Sequence, residues 1–231
     1  MIIVEKNVTD IKINGHGSST GGKYNSVTIN GSGSIGADLE CVTMRVNGQC
    51  NVDGSVKADS VKINGNSSIK GNLEAEKVNV KGMVDIGGNL SVEEAKTQGN
   101  ISIDGDCNAE IFSVDGMFAV EGFLNAGELE LNLYGPSRAR EIGGEKITVK
   151  KSGKFGFGSL KSIIMPFGHT KELTVDTIEG DDIHIENTQA KVVRGNNIEL
   201  GPGCEVELVE YKDSFKQDEK ANVGTHTKVG Y

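Results

Sequence analysis

The chain has 231 residues and a formal net charge of −9, with 33 acidic residues against 24 basic ones. That balance gives a nucleic-acid-binding role little global support, and no apolar run approaches the ~20 residues of a membrane-spanning helix. Glycine, at 32 residues, stands about twofold above its ordinary usage of ~7%. The three prolines, Pro136, Pro166 and Pro202, all fall in the later part of the chain. Their absence before residue 136 suits an uninterrupted array of paired strands, because proline removes a ladder donor.

Residues 1–10 are read as an N-terminal cap or a membrane-contacting segment, with Ile2, Ile3 and Val4 as its apolar part. The segment has no basic n-region or long apolar core of a secretory signal. The four cysteines form no C-x-x-C pair, and together these features point to a reducing cytoplasm.

From Ile11 to Glu128 the chain repeats. Glycine recurs every 17 residues at Gly31, Gly48, Gly65, Gly82, Gly99 and Gly116, after a 16-residue first copy with Gly15. Seven such units make up residues 11–128. Repeats this short bury no core alone and must stack. In the unit from Val61, apolar residues fall at Val61, Ile63, Ile69, Leu73 and Ala75, with Ser67 between them; Gly65 and Gly71 sit where the period breaks. Alternate residues of a strand share a face. Each unit therefore reads as three short strands, each pointing two side chains inward, with glycine at two of three corners for positive φ. The third corner takes mixed residues, Ser60, Lys77 and Glu94. The prediction is an all-β parallel β-helix, a triangular solenoid of about 17 residues per coil.

Ser91–Gln98 contains helix-favouring residues, but the repeat runs straight through it, so a strand is expected. Ala95 and Thr97 replace larger apolar residues there and predict the weakest packing. Outward positions are polar and read as forming no single-sign stripe. Asn14, Asn30, Asn47 and Asn64 form a ladder beside the glycine corner, expected to be amides stacking at a turn.

Regularity lapses after Glu128. Residues 129–172 read as a basic and aromatic interruption, and Arg138, Arg140, Lys150, Lys151, Lys154, Phe155 and Phe157 form a candidate membrane or partner patch. The competing reading is wall strands or a hairpin covering the core. Periodicity returns over 173–210 as further coils. Val206, Leu208 and Val209, with Phe215 beyond them, make a candidate assembly end, with Ile2, Ile3 and Val4 as the other. Residues 211–231 read as a capping strand and flexible tail.

Motifs for chemistry are lacking. No Walker A, G-x-S-x-G or H-E-x-x-H sequence occurs. His16, His169, His184 and His226 are scattered, and only His169 is a weak catalytic candidate. Cys41, Cys50 and Cys107 fall at inward positions and read as core thiols. Asp53, Asp85 and Asp104 read as solvated acids, because coils this short leave no room for groove-building loops. No catalytic, cofactor-binding or metal site is assigned.

The glycine-cornered units VTINGSGSIGADLE and VKINGNSSIKGNLEAEKVNVKG resemble those of bactofilins, the bacterial polymer-forming cytoskeletal proteins. The resemblance covers Ile11 to about Glu128 clearly and Val175–Leu208 loosely. It implies a right-handed helix that assembles end to end without nucleotide or metal. It also implies a cytoplasmic scaffold for envelope or motility machinery, polymerising with itself or with a paralogue and touching the membrane peripherally. Two alternatives stand beside it: a hexapeptide-repeat-like acyltransferase, and a β-helical binding module that does not polymerise.

Overall fold

A computed structural model describes residues 9–151 and 173–230. They form an all-β, all-parallel solenoid in which strands pair in sequence order. The chain divides into two compact units, one ending at Ile111 and one beginning at Phe112. Ile2, Ile3, Val4, Lys154, Phe155, Phe157 and His169 lie outside the described residues.

The first unit contains β1 (Ile11–Ser19), β2 (Gly22–Ile35), β3 (Leu39–Val52), β4 (Val56–Ile69), β5 (Leu73–Ile86) and β6 (Leu90–Ile103). Each strand wraps around a coil and bends at corners within it. β3 shows the pattern: Leu39 and Cys41, then Met44 and Val46, then Cys50 and Val52 are buried, and the residues between these pairs are not. Three sides with two inward residues each are what the repeat predicts. The inward column is nearly pure hydrocarbon, and a fully buried Val, Ile or Leu contributes roughly 1.5–3 kcal/mol. Burial also overrides helix propensity over Ser91–Gln98, which lies in β6 with Ala95 and Thr97 buried.

The two glycine corners have different causes. At the first, Gly48 has φ 131°, and a Cβ there would run into the Gly31 carbonyl oxygen. Positive φ and close coil stacking both demand glycine. At the second corner Gly54, Gly71, Gly88 and Gly105 do not adopt positive φ, contrary to the expectation from sequence. Gly71 is instead needed for room: its Cβ would strike the Ser55 hydroxyl. That hydroxyl belongs to a ladder in which Asp38 Oδ1 accepts from the Ser55 N–H (2.7 Å) and Ser55 Oγ from the Asn72 N–H (3.1 Å). Asn72 Oδ1 then accepts from the Asn89 N–H (2.8 Å) and Asn89 Oδ1 from the Asp106 N–H (2.9 Å). The third corner is two residues wide, and the strand register skips Val42, Asp59, Glu76 and Glu93 there.

The second unit contains most of β7 (Cys107–Leu133), then β8 (Ser137–Lys151), β9 (Leu173–Ile185), β10 (Thr188–Leu200), β11 (Glu205–Gln217) and β12 (Asn222–Lys228). Phe112 and Phe118 meet edge to face in its core, with centroids 6.3 Å apart. Residues 137–151, within the segment read as an interruption, form a wall strand paired in parallel with β7 and with β9. The glycine beat is lost there because the coils change size while the inward column continues through Leu124, Ile142, Ile178, Val193 and Val209.

Candidate functional site

One further strand, β12, lies beyond the candidate assembly-end residues Val206, Leu208 and Val209. Val206 and Val209 are buried, because Val223 and His226 of β12 stack over them. Leu208 and Phe215 are half-buried. Tyr211, Phe215 and His226 form a ring cluster with centroids 5.2–6.4 Å apart. β12 pairs only with β11 and covers Glu205–Tyr211. Its sequence, NVGTHTK, hides this role, since a strand with an apolar neighbour on one edge needs few apolar residues of its own.

The two arginines of the candidate basic patch are already engaged. The Arg138 Nε donates to Glu121 Oε1 at 3.0 Å. The Arg140 guanidinium lies 4.6 Å from the Phe123 ring centroid and 3.8 Å from Glu141. Lys150 and Lys151 are exposed, and the Lys151 backbone N–H donates to Glu186 at 3.4 Å.

Chemistry-bearing residues are scattered or inert. All four cysteines are buried. Burial pushes the Cys50 thiol up to about 11, and burial with the nearby Asp59 charge does the same for Cys41. Both are core thiols, as expected. The Cys204 thiol donates to the Ile185 carbonyl at 3.2 Å. His184 points outward beside Glu199 (3.5 Å) and Glu186 (3.9 Å). Asp53 pairs with Lys70 at 2.7 Å, and Asp85 and Asp104 are exposed. Among the described residues no cluster could hold a metal ion. Among the described residues no helix is long and apolar enough to cross a membrane. The second unit has a groove of about 780 Å³ floored by Gly144, Gly180 and Gly195. Its lining contains no serine, cysteine or histidine; its polar side chains include the carboxylates of Glu141, Glu179 and Glu210.

The outer surface is organised by column. The Asn ladder is present: Asn30, Asn47 and Asn64 each donate to the preceding Asn at 2.9 Å, as amides stacked at a turn. Opposite charges pair between coils, as in Lys57–Glu74 and Lys23–Glu40; such exposed pairs contribute ~0–1 kcal/mol each. The expectation of no single-sign stripe fails in the first unit. Asp59, Glu76 and Glu93, the residues that the register skips, recur at the third corner of successive coils. Parallel register places Lys12, Thr28, Arg45, Lys62, Asn79 and Lys96 in a column beside the Asn ladder. Both sets follow from reading one repeat position down the coils, but charge alternation along each strand obscures them.

A family model described as Bactofilin, polymer-forming cytoskeletal, matches residues 4–91. The uncharacterized protein YhbE of Bacillus subtilis (strain 168) is 54% identical over 250 aligned positions, covering 99% of this chain and 100% of that protein. The uncharacterized protein YhbF of the same organism is 38% identical over 106 positions, which span 46% of this chain and 41% of YhbF. No solved structure matches.

Proposed function

The chain belongs to the bactofilin family of polymer-forming cytoskeletal proteins, and from that premise we propose that it is a non-enzymatic cytoplasmic scaffold that self-assembles end to end and positions envelope or motility machinery. The observation that carries this reading is the open ladder at β12. Its outer backbone edge has no partner strand among the described residues, and unpaired strand edges recruit further strands. Half-buried Leu208, Phe215 and Val223 supply apolar contact beside it. Ile2, Ile3 and Val4 are the proposed contact at the other end. Similarity to two proteins of one bacterium also favours co-assembly with a paralogue.

Sedimentation velocity and negative-stain microscopy over a range of concentrations test the reading. The expected result is concentration-dependent growth into filaments without added nucleotide or metal. A strict monomer at every concentration would sink self-assembly by this chain alone.

A further inference from the structure

The three walls of the first unit differ in charge. The wall facing outward through Lys23, Glu40, Lys57 and Glu74 alternates in sign and pairs internally. The wall through Ser18, Ser34, Asn51, Ser68, Asp85 and Ser102 is nearly neutral. The remaining wall presents two columns. One is Lys12, Thr28, Arg45, Lys62, Asn79 and Lys96; the other is Asn14, Asn30, Asn47, Asn64, Lys81 and Gln98. Five of these twelve positions are cationic and none is acidic, within a chain of net charge −9. Lys12, Arg45, Lys62 and Lys81 are exposed and make no ion pair among the described residues. Only Lys96 is engaged, with Glu94 at the wall's edge.

We propose that this wall is a docking surface for an anionic lipid bilayer. Three features fit that partner. The parallel sheet holds the cations in one flat array, with coils ~4.8 Å apart, and polybasic arrays are drawn to anionic leaflets. Met83, at the corner two residues from Lys81, is 42% exposed and gives an apolar side chain to the interface. Flatness also decides against a nucleic acid. A bilayer meets one wall only, whereas a flexible polyanion would also meet Asp59, Glu76 and Glu93 on the adjoining corner and Asp85 on the next wall. The candidate patch in the second unit is the weaker membrane surface, since Arg138 and Arg140 already have partners. The proposal does not depend on filament formation.

Flotation of the full chain with phosphatidylcholine vesicles, with and without phosphatidylglycerol, tests it. The chain should float with the anionic vesicles only. Salt should release it, as the Debye length falls from ~10 Å at 0.1 M to ~3 Å at 1 M. The double variant Lys62→Glu/Lys81→Glu should bind at least about tenfold more weakly, with unchanged circular dichroism and melting. Lys150→Glu/Lys151→Glu and deletion of residues 1–8 should leave binding in place. The proposal is overturned if the wild type ignores anionic vesicles or floats equally with neutral ones. Retained binding by the Lys62/Lys81 variant would overturn it too. So would loss of binding in either control, or tighter capture of a single-stranded oligonucleotide than of vesicles.

Discussion

Thr97 shows how the interior tolerates a misfit. Its side chain is 3% exposed, and its hydroxyl, like that of Ser67, has no hydrogen-bond partner. A buried hydroxyl left unpaired costs about 1–3 kcal/mol. Thr97→Val keeps the shape and removes the polar atom, so it should raise stability by about 1 kcal/mol, read as a higher urea midpoint with an unchanged slope. A lowered midpoint would mean that the hydroxyl is satisfied. Sequence made this position legible: Thr97 stands where neighbouring repeats carry Ile63 and Val80. The inward positions were equally legible, because burial in a parallel coil repeats with the chain's own period.

Two strand corners use the same residue for different ends, and only one was readable. Gly65 occupies the left-handed region, at φ 133°, which a regular glycine beat announces. Gly71 makes way for a neighbour's side chain. The ladder it serves stayed hidden because Asp38, Ser55, Asn72, Asn89 and Asp106 share one corner position through three residue types. The Asn ladder was visible because one residue type recurs. Their energetics should differ as well. Asn72→Ala strips the acceptor from the Asn89 N–H and should cost about 0.5–1.5 kcal/mol. Asn47→Ala breaks only pairs between side-chain amides and leaves no backbone N–H without its acceptor, so it should cost less than half as much. Equal losses of melting temperature would show that the second-corner ladder carries no special weight.

Across the whole chain, stability should follow neighbour count, because each coil of a solenoid is held chiefly by the coils beside it. β4 is paired on both edges and β12 on one. Hydrogen exchange should therefore be at least about tenfold faster in β12 than in β4; uniform protection would contradict the one-dimensional picture. The end of the second unit was the least legible part. A strand covered on one edge is excused from the apolar pattern, so the polar β12 looked like a tail. The basic wall was overlooked for a related reason: charge is laid out down the coils, while the sequence is read around them.

The second-corner ladder also has a direction. In every rung the acceptor side chain sits on the earlier coil and the N–H it receives on the later one, from Asp38 and Ser55 through to Asn89 and Asp106. A chain leaving the ribosome amino end first thus always winds onto a coil whose acceptor is already in place.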